Sequence, residues 1–389
     1  MGSYISSNAN RFYTGLENAY GQVPNITDHN RIPAVSLSIR QQLEKRERKD
    51  KTGTRTFPGL PPGGRRRTTF ELTTYLTNWD RSTAAPAYGP LVEACLGGGP
   101  LQFSGGTVAP GSTDSRVVFL SPHGLSVGQA VTCAGEIRFV AAVISPTTVQ
   151  LNAAFSNAAP GSAVGGTITY IPALDLPSVS LFDYWSPSTA VQRVLCGAAV
   201  NQMTVQANGD FHELQFSGFA QDVIDSASFD GEIGQISAFP PEPVIGDFDY
   251  SIVPGNLGQV WLGSTPDRFV TITSASIVID NGLELRAKEF GSNVPLGISP
   301  GIRNVSLGFT LYQRDEAATK GLYQAARQQS PISVMFQMGQ QDGQLMGVYL
   351  KSVLPEVPEF DDGDAQLQWR FQGARAQGIG DDEAIVAFG

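Results

Sequence analysis

The chain is short of charge. Asp, Glu, Lys and Arg make up only 16% of its 389 residues, against about 25% in an ordinary soluble domain. Cysteine is scarce as well: Cys95, Cys133 and Cys196 are widely spaced, with no C-x-x-C among them. That argues against a disulfide framework or a zinc site and for small buried hydrophobes. Histidine is limited to His29, His123 and His212, far apart and in none of the spacings that bind metal on a helix. No run of about 18 apolar residues occurs, so no helical membrane span is expected. The N-terminal stretch Met1 to Phe12 lacks the basic and apolar regions of a signal peptide, and synthesis in a cytoplasm is expected. Nucleophile elbow, phosphate-binding loop and dinucleotide fingerprint are all missing, so no enzyme class is indicated and no cofactor or metal site is expected.

What is present favours a folded, strand-rich protein. Hydrophobic residues reach 41%, enough for real cores. There are 43 glycines and 25 prolines, above the average chain but short of the roughly 25–30% that marks low-complexity disorder. The net charge is −10 and the pI about 4.8, so the protein as a whole is not built to hold nucleic acid by neutralising phosphates. The charge is uneven. Residues 40–67 hold ten of the 26 bases and three of the 36 acids, which leaves 16 bases against 33 acids, a balance of −17, elsewhere. An acidic body carries one basic segment.

The dominant pattern has a period of two, the strand signal. Val35, Leu37 and Ile39 alternate with serines, and Phe70, Leu72, Thr74 and Leu76 with Glu71, Thr73 and Tyr75. Leu214–Phe216, Leu307–Leu311 and Leu367–Phe371 alternate in the same way. Each such strand has one apolar face and one face of Ser, Thr and Gln, as in antiparallel sheets wet on one side. Turn signals lie between them at Asn208-Gly209, Asn281-Gly282, Asp342-Gly343 and Asp362-Gly363. Two helices are expected, Tyr88–Leu96 and Asp315–Gln329, the second with a Glu316–Lys320 pair one turn apart.

The order of these blocks repeats. Ile32–Ile39 parallels Ile272–Ile279, and Gly59–Arg65 parallels Gly297–Arg303. Thr68–Tyr75 parallels Val305–Tyr312, a helix follows each, and Leu195–Val200 parallels Leu345–Leu350. The closing hairpins Asn208–Gly218 and Asp362–Gly373 match with one residue of slip. Between the first helix and Val179–Tyr184 lies a segment, residues 100–172, whose only charges are Asp114, Arg116, Glu136 and Arg138. The division expected is an N-terminal arm over 1–30, a discontinuous first unit over 31–99 and 173–225, a small inserted β-domain over 100–172, a linker over 226–260 and a second unit over 261–389.

The five blocks, in this order and twice over, resemble the tail tube (major tail) proteins of tailed bacteriophages. The acidic Gly380-Asp381-Asp382-Glu383 before Ile385–Phe388 is similar to the C-terminus common in that family, and the run His123–Val131 is similar to small β-domains embedded in phage tail proteins. The resemblance covers nearly the whole chain outside residues 1–30. It implies a mainly β fold: two tandem tail-tube-type β-sandwich domains, each with a flanking helix, plus the inserted domain. It implies a structural virion protein whose inner sheets join those of its neighbours around a lumen that conducts double-stranded DNA without gripping it. Most members carry one such domain and form hexameric rings, so a duplicated chain implies a homotrimeric, pseudo-hexameric ring. Tail terminator, tail tip and tape-measure proteins are the implied partners beside the chain itself, with no membrane. An acidic, hydrated wall suits DNA passage, because it repels phosphates.

The basic segment falls between the first two strands, where the family has a long loop reaching the adjacent ring. Arg46, Arg48, Lys49, Lys51, Arg55, Arg65, Arg66 and Arg67 are therefore candidates for stacking rings, with Asp361, Asp362 and Asp364 as acidic partners. The alternative is a virion-surface adhesin or carbohydrate-binding β-sandwich module, for which the weakly charged segment 100–172 is the natural candidate.

Overall fold

The computed structural model describes residues 4–44, 51–57, 59, 63–79, 85–207, 209–244 and 250–389. The fold is mainly β, with two α-helices among the described residues. In chain order the elements used below are β1 (Asn10–Leu16), β2 (Ala34–Leu43), β3 (Arg66–Tyr75), α1 (Gly89–Leu96), β4 (Leu101–Phe103), β5 (Thr167–Tyr170), β6 (Val179–Trp185), β7 (Arg193–Ala207), β8 (Glu213–Ala220) and β9 (Asp222–Asp225). Then come β10 (Gly258–Gly263), β11 (Ile272–Asp280), β12 (Asn304–Tyr312), α2 (Ala317–Gln328), β13 (Ile332–Met338), β14 (Met346–Leu354), β15 (Glu359–Asp361), β16 (Gln368–Ala376) and β17 (Ile385–Phe388).

One antiparallel sheet runs through the molecule in the order β2, β3, β8, β7, β11, β12, β16, β15. Its strands alternate because one face is packed and the other wet. Phe70, Leu72, Leu214, Phe216, Met203, Ile277, Leu307, Phe309 and Phe371 all point into one core, which also takes Leu91 and Leu96 of α1 and Leu322 and Ala326 of α2. Behind it lie a second layer of β1, β6, the first half of β7 and β9, and another of β10, β13, β14, β17, β5 and β4. β7 serves two layers: it bends at a bulge between Val200 and Gln202, as bulged strands do.

The pairings recur in the same order, two bulges included. β2–β3 breaks register between Ala34 and Ser36, and β11–β12 between Ile272 and Ser274. β6–β7 breaks between Val179 and Leu181, and β13–β14 between Ile332 and Val334. These pairings correct the sequence alignment. Ala34, opposite Thr74, stands where Ile272 stands opposite Leu311, so the first block moves by two residues and keeps its faces. Leu195, opposite Leu181, stands where Leu350 stands opposite Val334, so Leu195 corresponds to Leu350 and not to Leu345, five residues earlier. The slip between the closing hairpins falls in the turn, because Leu214 opposite Thr74 already stands where Trp369 stands opposite Leu311. A bulge in β16 opposite Leu307–Phe309, where Gly373 takes a φ of +72° that suits glycine, adds a further residue and sets Ala374 in the place of Gly218.

Four sequence expectations change. Residues 1–30 are not simply an arm: β1 pairs along its length with β6, and Tyr13 and Thr14 are buried. The buried Glu17 carboxylate next to it accepts hydrogen bonds from Ser178 and Ser180 Oγ and from the Gly21 and Gly197 amides, at 2.5–2.7 Å. The 226–260 stretch is no bare linker. Ile233, Ile236 and Phe239 cover the β1–β6 layer, Glu242 pairs with Arg11, and β10 begins at Gly258. Val35 faces solvent, 51% exposed, because the bulge beside it shifts the alternation. In α2, Glu316 is the N-cap and Lys320 pairs with Asp315 instead.

The segment after α1 forms a six-stranded sheet with its own core around Val117, Phe119, Val131 and Val149. It leaves the chain between α1 and β6, yet its stalk strands β4 and β5 join the other half of the molecule through β17. Phe139 stacks on Tyr349 at 5.3 Å. Between them and β10–β13 the guanidinium of Arg138 is fully buried. It donates to the carbonyls of Ile137 and Ala154 and to the side-chain oxygens of Gln337 and Gln259 at 2.7–3.0 Å. It also lies 3.4 Å from Glu136 and under the ring of Trp261. A buried cation survives only when its donors are used and its charge is paired, and here the partners come from both sides of the junction.

Candidate functional site

The wet face of the long sheet is lined across strands by Ser36, Thr73, Gln215, Thr204, Val278 and Ser306, each opposite the next. A second row runs Tyr75, Glu213, Gln206, Ser276, Gly308. Hydroxyls and amides dominate, and on this face the middle five strands carry Glu71, Glu213 and Asp280 against Arg67, whose guanidinium lies over the Phe219 ring at 5.4 Å. The middle of this surface holds water and offers no cationic track to a polyanion, and the outer strands add Arg40, Arg370 and Arg375 against Glu359 and Asp361.

The ends of this sheet are the second feature. Among the described strands β2 pairs only with β3, and β15 only with β16. Both edges carry exposed apolar side chains, Val35 and Leu43 at one and Val357 and Phe360 at the other. Phe360 is 58% exposed although it stacks on Trp369 at 5.3 Å. Open apolar edges are aggregation templates unless a partner covers them.

The basic segment divides. Arg66 leaves the loop to pair at 2.6 Å with the buried Asp222 carboxylate, and Arg65 donates to the Lys288 carbonyl at 3.0 Å. With Arg67 on Phe219, these three are engaged within their own chain. Lys51 and Arg55 are exposed, while Arg46, Arg48 and Lys49 lie outside the described residues. Of the acids, Asp361 pairs with Arg370, Asp364 accepts from Gln368 at 2.8 Å, and Asp362 is exposed. Sequence reading did not single out Glu359 and Phe360; an apolar residue beside an acidic turn was the available signal. Replacing Arg66 by alanine is expected to destabilise the chain by about 2 kcal/mol, since Asp222 keeps its burial and loses its cation. Urea unfolding measures this, and a loss under about 0.5 kcal/mol would contradict it.

No metal-binding group of three or more His, Cys, Asp or Glu side chains gathers among the described residues. His123 is held by the Leu125 amide at 2.8 Å and the Ser145 carbonyl at 3.1 Å. His212 is buried against the Leu257 carbonyl, and burial lowers its pKa. What the described residues offer is a wall with two edges. A family model described as phage tail tube protein matches residues 126–387, which is 262 of the 389. The chain belongs to the phage tail tube protein family. It is thus a structural protein of the virion tail whose copies assemble into a tube, and the family is no known enzyme class. The match begins inside the inserted segment, so it is narrower than the resemblance expected from sequence. A hybrid solid-state NMR and cryo-EM structure of the SPP1 tail tube is similar at 18% identity, over 33% of this chain and 81% of that one. The TM-score between the two is 0.26. No curated protein matches. In a tail tube protein the wet wall and open edges become features of an assembly.

Proposed function

We propose that this tail tube protein is a duplicated subunit that closes into three-copy, pseudo-hexameric rings, and that the stacked rings conduct double-stranded DNA. The observation that carries the reading is the pairing of β7 with β11. It joins two four-stranded halves edge to edge within one chain, and the outer edges, β2 and β15, are the counterparts of the two strands that meet there. Thr204, Val205 and Gln206 pair with Val278, Ile277 and Ser276. The same register between copies sets Glu359 opposite Arg40, Phe360 opposite Ile39 and Asp361 opposite Ser38. A cation meets an anion on the wet face, and an aromatic meets a β-branched residue on the dry face, both favourable cross-strand pairs. Closure removes both open edges of the long sheet.

Three copies of an eight-stranded sheet make a barrel of 24 strands. Closed barrels of about 16–18 strands already leave an aqueous channel, so this one leaves a wide lumen walled by the hydroxyl and amide rows. Rings stack coaxially between a terminator and a tip, around a tape-measure protein during assembly. The exposed part of the basic segment, Lys51 and Arg55 with Arg46, Arg48 and Lys49 in sequence beside them, remains available to another copy, with Asp362 and Asp364 as candidate acids in the stacking arrangement. The test is negative-stain microscopy of purified protein together with its mass in solution. Three-chain rings or tubes with a central hole are expected, and a monomer at all concentrations would overturn the reading. Lumen chemistry is tested separately. Lysines at Thr73, Gln215, Ser276 and Thr310 together are expected to leave tubes intact and slow DNA ejection at low salt. Unchanged ejection would count against a wall selected not to grip DNA.

A further inference from the structure

Resting on that reading of the ring, we infer that the groove beside Arg303 is the lateral seat of the β2–β3 connection of the neighbouring copy. The seat is a cavity of about 540 Å³ at the end of the second half of the chain, rimmed by Leu174, Ile302 and Ile379, whose side chains are 78%, 95% and 101% exposed. Arg303 crosses its floor, 2.7 Å from Glu383 and 3.4 Å from Asp381. Three largely exposed aliphatic side chains around one acidic groove leave apolar area uncovered, which is unusual on a free surface.

The first half of the chain contains the same surface with its occupant in place. Arg66 paired with Asp222 is the counterpart of Arg303 paired with Glu383: each arginine opens or precedes the second strand of its half, and each acid precedes or opens the closing strand. Over the first surface lies the long β11–β12 connection, residues 281–303. Its Asn293 carbonyl accepts from the Arg66 amide at 2.8 Å, its Lys288 carbonyl from Arg65 at 3.0 Å, and its Pro295 carbonyl from Gln221 at 3.3 Å. Pro295 and Gly297 are buried there. The connection follows β11, the strand that pairs with β7, so sheet pairing and loop seating come from the same chain segment.

The β2–β3 connection, residues 44–65, stands in the same relation to β2, which pairs across the ring. It is 22 residues against 23, so the reach is equal. Counted back from β3 and β12, whose register sets Thr74 where Leu311 stands, it carries Phe57-Pro58-Gly59 where the other carries Val294-Pro295-Leu296, one residue off the sequence match of Gly59 with Gly297, and Phe57 is 67% exposed. Lys51 and Arg55 lead its approach, and the groove offers Asp175, Asp381 and Glu383 around a single arginine. Basic loop and acidic groove are complementary, and the occupant is a second copy of this chain. Ring stacking by this same loop is the competing landing place, and it has a different geometry: a lateral seat closes after three copies, while an axial one runs on from ring to ring.

The experiment uses the full chain carrying Ile379→Cys and Phe57→Cys, assembled and isolated as rings and tubes, and treated with a flexible bis-maleimide. The native thiols do not compete, because Cys95 and Cys196 are buried and burial pushes each up to about 12, and Cys133 is also buried. The expected result on a denaturing gel is a ladder that ends at three chains, absent from either single variant. A ladder continuing past three would overturn the lateral seat and return the loop to ring stacking. Rings that give no ladder would overturn the seat while leaving the ring itself standing. A chain that forms no rings would overturn both.

Discussion

Phe360→Asp is expected to give a folded monomer that closes no rings. Phe360 is more than half exposed in the single chain, so the fold loses little more than its ring contacts with Trp369 and Tyr323, about 2 kcal/mol together. Between copies the same side chain faces Ile39 on the dry side of the sheet. An aspartate there buries a carboxylate without a cation, which costs several kcal/mol at each of three junctions. A closed ring needs all three, so the losses multiply. The charged pair beside it gives a gentler and more specific check. Arg40→Glu sets two carboxylates against each other and is expected to weaken assembly, most strongly at low salt. Glu359→Arg in the same chain restores opposite charges and should recover it. Sedimentation across a concentration series reads both. Rings formed by Phe360→Asp at wild-type concentrations would refute the edge assignment, as would a double charge swap no better than the single one.

Arg138→Ala is expected to be the most damaging single change to the fold itself, by about 3–5 kcal/mol, the range for breaking a buried ion pair by removing one partner. Glu136 keeps its place beside the guanidinium hole, and the side-chain oxygens of Gln259 and Gln337 lose a donor. Because those partners sit on β10 and β13, the damage concentrates where the inserted sheet meets the second half of the chain. Protease cleavage near residues 100–105 and 165–172 should rise well before global unfolding. Arg138→Met paired with Glu136→Gln keeps the volume and removes the charge, and it should recover much of the loss. A thermal midpoint within about 2 °C of wild type for Arg138→Ala would rule this account out.

The wet-faced strands were legible in the sequence, because a sheet packed on one side writes its geometry as alternation. β12, with Val305, Leu307, Phe309 and Leu311 inward, is read directly. Strands buried on both faces write no such pattern. β1 hides in Phe12-Tyr13-Thr14 because a layer lies on each side of it, and so an arm was expected. Bulges defeat alternation locally, which is why Val35 turned outward. The repeat was legible in order but not in register, since register is set by which strand lies opposite. Leu195 and Leu350 correspond only once Leu181 and Val334 are seen across from them. The site was the least legible part. A count of bases marked residues 40–67 but could not separate Arg66, held by Asp222 within the chain, from Arg40, which faces an open edge. The edge becomes visible only when β7 is found beside β11.

The measurement that bears most directly on this is a cryo-EM reconstruction of the assembled protein at a resolution that traces strands. It is expected to contain three chains per ring, with β2 of each copy antiparallel to β15 of the next and Ile39 opposite Phe360. Rings whose inner wall leaves β2 and β15 unpaired, or joins them in another register, would contradict it.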